Sequence, residues 1–256
     1  MENSLTGSIN LPEGRKAVII IENLSKQFGN HKVLVNLNLT VFEEENVVIL
    51  GKSGCGKSVL IKCIIGLIKP QRGHIFVTGT DITSIKYDKM DQMRTKIGFL
   101  FQSNAIYDSM TVRENLEFPL RRNRVNISQD QINKLVCEAL ENVGLLHTID
   151  MMPSELSGGM LKRIALARII ILKPKIILYD EPTSGLDPVT AAEIENLILE
   201  LKKKYHTTSI IISHDMNCVK KTADRVILLL DGSCYAAGTY ADFQNSNDTN
   251  IKQFFQ

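Results

Sequence analysis

One octapeptide dictates much of what can surround it. Gly51-Lys-Ser-Gly-Cys-Gly-Lys57-Ser58 fits G-x-x-x-x-G-K-[ST], and it lies between an apolar run, Val47–Leu50, and a helical pattern opening at Lys57. Such a loop suits a chain of phosphates, which concentrates several negative charges within a few ångströms. Glycines let successive backbone N–H groups turn inward with no Cβ in the way. The helix start adds unpaired donors and the positive end of its dipole. In this arrangement Lys57 reaches the β- and γ-phosphates and the Ser58 hydroxyl holds Mg²⁺. The expected nucleotide contacts are Gly51, Lys52, Ser53, Gly54, Cys55, Gly56, Lys57, Ser58 and Val59.

A motif of this kind needs a strand before it and a helix after it, and the chain supplies an alternation of both. Strand-like runs occur at Ala17–Ile21, Val35–Phe42, Val47–Leu50, His74–Val77, Lys96–Phe101, Ile176–Tyr179, Ser209–Ile212 and Val226–Leu230. Helical patterns run from Lys57 to about Leu67, over Pro188–Lys203 and over Met216–Thr222, with Asp187 as N-cap and Pro188 at the first helical position. This alternation implies an α/β fold with a largely parallel sheet. Residues 104–168 differ in character, with apolar positions at helical spacing (Ile132, Leu135, Val136, Ala139, Leu140, Val143), and form a helical subdomain. The expected layout is a leader at 1–16, one domain over 17–244 and a tail at 245–256.

Composition narrows the function classes. Lys plus Arg number 30 against 28 Asp plus Glu, a balance that argues against a broad basic surface for nucleic acid. The longest apolar runs, such as Ala17–Ile21, have five residues, where a bilayer crossing takes about 20. The N-terminal residues lack a signal-peptide core. The five cysteines are odd in number and contain no C-x-x-C pair, which fits reduced thiols in a cytosolic protein.

Further candidates follow the strands. Ile176–Tyr179 ends in Asp180 and Glu181, at the strand end where α/β sheets bind ligands. Asp180 is placed to hold Mg²⁺, and Glu181, pointing the other way across the strand end, to orient or deprotonate a water. Alone, this pair also reads as a solvated turn. His214 follows Ile210–Ser213 and can reach a γ-phosphate or the attacking water; an isolated His is more often structural. Gln102 closes another strand, where its amide can touch metal or water. Ser157, Gly158 and Gly159 precede a helical pattern from Leu161 to Leu172 and make a second anion cradle, with Ser157 as N-cap. One chain therefore carries two cradles about 100 residues apart.

Together these motifs resemble the nucleotide-binding subunit of ATP-binding-cassette (ABC) transporters. The order is Gly51–Ser58, Gln102, Leu156-Ser-Gly-Gly-Met160, Asp180-Glu181, Ser184-Gly-Leu-Asp187 and His214, and the resemblance runs from about Ile19 to Gly238. It implies a P-loop ATPase with a mostly parallel core sheet, an N-terminal antiparallel β subdomain and an inserted helical subdomain. It implies ATP and Mg²⁺ as cofactors. Phe28 matches the family's adenine-stacking aromatic, with a core Phe as the competing reading. The resemblance pairs two subunits head to tail, so that Ser157–Met160 of one closes on the ATP of the other, with Asp187 joining the two sites. Lys57, Gln102, Glu181 and His214 are then the catalytic residues, Glu181 as base and His214 as its partner. Ser58, Gln102 and Asp180 are the metal ligands.

A narrower likeness exists. Phe101-Gln-Ser-Asn-Ala-Ile-Tyr-Asp-Ser-Met-Thr-Val-Arg-Glu-Asn115, Phe118-Pro-Leu120, Gly56-Lys-Ser-Val-Leu60 and Pro153-Ser-Glu-Leu-Ser-Gly-Gly-Met160 are similar to Mla/Mce-associated lipid-transport ATPases. That implies a homodimer driving phospholipid transport through a separate permease, with an Mce-type lipid-binding protein in the complex, on the cytoplasmic face of a bacterial inner membrane. Residues 103–119 would face the membrane subunit. A small-solute importer of amino-acid type and a non-transport ABC ATPase are the alternatives. Only 54 residues separate Gln102 from Ser157, too few for the long coiled coil of the latter. Arg121, Arg122 and Arg124 form a basic cluster, read as a solvated face before a headgroup contact. Ile251, Phe254 and Phe255 of the tail sit at helical spacing and read as packing before a partner contact.

Overall fold

The computed structural model describes residues 14–123 and 127–255. The first 13 residues of the expected leader, Arg124 of the basic cluster and Gln256 of the tail lie outside the described residues.

Two sheets organise the chain. β1 (Ala17–Phe28) and β2 (His31–Phe42) form a long hairpin, and β4 (Arg72–Val77) and β5 (Thr80–Asp81) extend it into an antiparallel sheet of order β2-β1-β4-β5. The apolar run Ala17–Ile21 marks only the first half of β1. Register shifts after Ile21 and Leu24, with Asn23 at φ 50°, interrupt the pairing while the strand continues to Phe28.

The second sheet is the core. β6 (Ile97–Leu100), β7 (Ile176–Asp180), β8 (Thr208–Ile212), β3 (Asn46–Leu50) and β9 (Arg225–Leu230) run parallel in that spatial order. β10 (Ser233–Gly238) adds an antiparallel edge to β9. β10 has little β-branched content and gave no strand signal in the sequence. The register aligns the carboxyl ends: Ile49 faces Ile212, Ile212 faces Asp180, and Tyr179 faces Leu100. Everything that follows β3, β6, β7 and β8 therefore emerges along one edge.

Successive side chains of these strands go to opposite faces. Val48, Leu50, Leu100, Ile177, Tyr179, Ile211, Val226 and Leu228 pack on one side, under α3 (Val112–Asn123), α4 (Gln129–Glu141), α5 (Gly158–Ile170), α6 (Pro188–Tyr205) and α7 (Met216–Thr222). Val47, Ile49, Ile97, Phe99, Ile176, Leu178, Ile210, Ile212, Ile227 and Leu229 pack on the other, against α1 (Lys57–Ile64) and the antiparallel sheet. Each fully buried aliphatic side chain contributes about 1.5–3 kcal/mol, which is why strands flanked on both faces read as continuous apolar runs.

The helices refine the sequence pattern. α1 stops at Ile64, short of Leu67, because Gly66 adopts φ 70° and turns the chain. α5 starts at Gly158, three residues before the apolar pattern, since Ser157 caps it by accepting the Met160 N–H at 3.2 Å. Ser128 and Gln131 form a reciprocal capping box at the head of α4. α2 (Tyr87–Arg94) is polar apart from the buried pair Met90 and Met93, too short a stripe to announce it. The chain ends in α8 (Tyr240–Gln244) and α9 (Thr249–Lys252).

Candidate active site

The aligned strand ends open into a cavity of about 810 Å³. The loop after β3 forms its floor with Gly51, Lys52, Ser53, Gly54, Gly56, Lys57, Ser58 and Val59. Gly56 sits at φ 104° with Val33 so close that an added Cβ would lie 2.7 Å from the Val33 carbonyl oxygen, so only glycine makes this turn. Cys55 is the one loop residue absent from the described lining. Its Sγ is 3.9 Å from the Lys57 ammonium, and it packs behind the loop against Gly51. Lys57 donates to the carbonyls of Gly51 (2.6 Å) and Lys52 (3.0 Å), which holds its ammonium at the head of α1.

Ser58 and Asp180 come together from opposite sides of the cavity, the Ser58 hydroxyl donating to Asp180 Oδ1 at 3.1 Å. A hydroxyl and a carboxylate are hard oxygen donors, the set that suits Mg²⁺ when phosphate oxygens and water complete the shell. Asp180 is 8% exposed, so its charge faces the cavity and not bulk water.

Glu181 departs from the expected geometry. A regular strand would turn it to the face opposite Asp180, but its φ of 53° ends the strand and brings both acids onto the same cavity. Its backbone N–H still donates to the Ile212 carbonyl at 3.0 Å, which ties it to β8. Its Oε2 lies 2.8 Å from His214 Nδ1, the residue that leaves β8 two positions later. A carboxylate and an imidazole in contact at the cavity wall can hold a water and receive its proton. Gln102, at the end of β6, lines the same cavity. Phe28 lines its outer side, 49% exposed, with the Lys26 ammonium 4.9 Å from its ring centroid. An open aromatic face backed by a cation suits a planar base.

Ser157, Gly158, Gly159 and Asp187 lie elsewhere and line no part of this cavity among the described residues. The heads of the two helices they belong to meet instead. Asp187 caps α6 through the N–H groups of Val189 (3.0 Å) and Thr190 (3.1 Å) and accepts the Thr190 hydroxyl at 2.5 Å. The Thr190 bond above all holds its carboxyl below the usual carboxylate range. A Cβ on Gly159 would lie 2.5 Å from Thr190 Cγ2, so the heads of α5 and α6 touch at a glycine.

Four lining residues were not among the sequence candidates: His31, Val33, Ile212 and Phe254. Phe254 is the least expected, coming from the tail. Ile251 is fully buried, and the Tyr235 hydroxyl donates to Asp248 (2.8 Å) and accepts from Asn250 (3.1 Å), which fixes the segment that delivers Phe254 to the wall. No local pattern signals such a placement, because it depends on where β10 and α8 leave the chain.

Comparison with known proteins adds the decisive observation: residues 34–184, more than half of the chain, match the ABC transporter family. The chain belongs to the ABC transporter ATP-binding family. This cassette is 37% identical to the intermembrane phospholipid transport system ATP-binding protein MlaF of Haemophilus influenzae, over 93% of its own length and 90% of that protein's. It is 36% identical to the probable ribonucleotide transport ATP-binding protein mkl of Mycobacterium leprae, over 98% of its length and 72% of that protein's. It is 40% identical to the methionine import ATP-binding protein MetN of Carboxydothermus hydrogenoformans, over 93% and 71%. Among solved structures, a dimeric post-hydrolysis state of the ATP-binding cassette MJ0796 bound to ADP and Pi superposes with a TM-score of 0.79 at 32% identity, covering 87% of this chain and 98% of that one. The cassette is thus an ATP-binding, ATP-hydrolysing subunit of the kind that pairs and works with membrane permeases. No helix among its described residues is long and apolar enough to cross a membrane.

Proposed function

We propose that this cassette hydrolyses ATP to drive phospholipid movement between membranes through a separate permease, as a homodimer peripheral to the cytoplasmic face of a bacterial inner membrane. The Glu181–His214 contact at 2.8 Å, in one cavity with Lys57, Ser58 and Asp180, carries the hydrolytic part. Lys57 leaves its two loop carbonyls for the β- and γ-phosphates. Glu181 takes the proton of the attacking water, and His214 holds that carboxylate in place. Ser58, Asp180 and Gln102 would hold Mg²⁺, which would supply neutralisation of the phosphate charge. Phe28 stacks on adenine. Ser157, Gly158 and Gly159, with Asp187 behind them, serve the ATP of the partner copy, which accounts for a cradle that does not face its own cavity.

Phospholipid as the cargo is supported by the likeness of 101–120 to lipid-transport ATPases and by the near-complete coverage of the MlaF relative. The same segment borders an open groove of about 500 Å³ lined by Phe101, Asn104, Tyr107, Arg168 and Ile169, a fitting seat for the permease. An Mce-type lipid-binding protein completes the complex. The identity to MetN favours a methionine importer as the second reading. Affinity purification from detergent-solubilised membranes separates the two. A co-purifying permease with an Mce-type protein and bound phospholipid supports the lipid reading; a permease with a methionine-binding protein and no lipid rejects it.

A further inference from the structure

Three contacts staple α5 to the segment that follows β6. The Arg168 guanidinium donates to the Ala105 carbonyl and lies 4.6 Å from the Tyr107 ring centroid. The Lys162 ammonium donates to the Gln102 carbonyl at 3.2 Å. Lys162 differs from its neighbours. Arg163 is paired with Glu193 at 2.6 Å, and Arg168 lies open on the groove. Lys162 is 2% exposed and has no carboxylate partner among the described residues. Burial pushes its ammonium below the usual lysine range, with no charged group contributing. A buried, unneutralised cation is costly, and an aliphatic side chain would fill the same space at lower cost. Packing alone therefore gives no reason for an ammonium here. Its one acceptor among the described residues belongs to the residue whose side chain lines the nucleotide cavity, and Lys162 stands five residues beyond Ser157 on the helix that Ser157 caps.

We propose that Lys162 is a positioning residue for hydrolysis: its ammonium, held on the Gln102 carbonyl, makes the end of β6 and the Ser157-headed helix α5 move as one body. Nucleotide in the chain's own cavity touches Gln102, and the partner's nucleotide meets the head of α5. Lys162 transmits between them without touching either. This rests on the reading of Gln102 as a side chain that meets metal or water at the γ-phosphate.

The test uses the full-length chain with Lys162→Met, Lys162→Arg and Gln102→Ala, scored by fluorescent-nucleotide titration, steady-state kcat and KM, and thermal unfolding. Lys162→Met is expected to bind nucleotide within twofold of wild type, to melt at the same or a higher temperature, and to lose tenfold or more in kcat with KM unchanged. Lys162→Arg is expected to recover at least half of the turnover. A Lys162→Met kcat within twofold of wild type overturns the proposal, as does a loss of activity that tracks a fall in melting temperature and nucleotide affinity. Normal turnover of Gln102→Ala overturns the reading of Gln102 itself. Normal Lys162→Met beside a crippled Gln102→Ala overturns only the linkage.

Discussion

The reactive geometry turns on a single backbone angle. Glu181 at φ 53° leaves β7 so that its carboxylate meets His214 at 2.8 Å while Asp180 keeps Ser58 at 3.1 Å. Left-handed backbone is uncommon outside glycine, and the Ile212 carbonyl secures it here by accepting the Glu181 N–H. Glu181→Gln preserves side-chain shape and removes the base. Its turnover should fall about 10²–10⁴-fold with ATP affinity intact, read by phosphate release beside nucleotide titration; normal turnover would mean the base lies elsewhere. Lys57→Ala removes the ammonium from the loop and should abolish binding at micromolar ATP, seen as a flat titration. The residues of these two predictions were legible in the sequence because their chemistry is local: a glycine loop between strand and helix, acids at a strand end. Phe254 and His31, which line the cavity, and Lys162, which meets the Gln102 carbonyl, were not, since each is placed by packing that no nearby pattern encodes.

Elements behave differently from residues, because a helix end is held by its neighbours as well as by its cap. The head of α5 depends on the Ser157 cap and on the absence of a Cβ at Gly159, where Thr190 Cγ2 would be 2.5 Å away. Gly159→Ala should destabilise the fold by about 1–3 kcal/mol through this overlap. Thr190→Ser removes the methyl and keeps the hydroxyl that Asp187 accepts, so the double variant should regain most of the loss. Denaturant melts of the two singles and the double check it; strictly additive losses would show that the two positions do not meet. The same scale explains which elements the sequence disclosed. Strands buried on both faces read as apolar runs, and capped amphipathic helices read by period. The far half of β1, the polar helix α2 and the weakly β-forming β10 lack these signals and appear only once their partners are in place.

At the scale of the whole molecule, the two cradles set the expected assembly. One forms the floor of the cavity, and the other, at Ser157–Gly159, is turned to a different surface of the same chain. If each serves a different copy, ATP becomes part of the interface. Glu181→Gln with ATP and Mg²⁺ should elute as a dimer and return to monomer when nucleotide is removed, measured by size-exclusion with light scattering. Ser157→Arg should bind ATP normally yet stay monomeric in that background; a dimer of undiminished stability would reject assembly through this helix head.

The placement of Phe254 carries a practical corollary. The aromatic that completes the nucleotide cavity wall follows α9, on a segment held by buried Ile251 and by the Tyr235–Asp248 bond. A fluorophore or affinity label attached to this segment sits against the cavity wall. Such a label is expected to disturb turnover, and protein meant to report native kinetics is better labelled on an element away from this wall, such as α4.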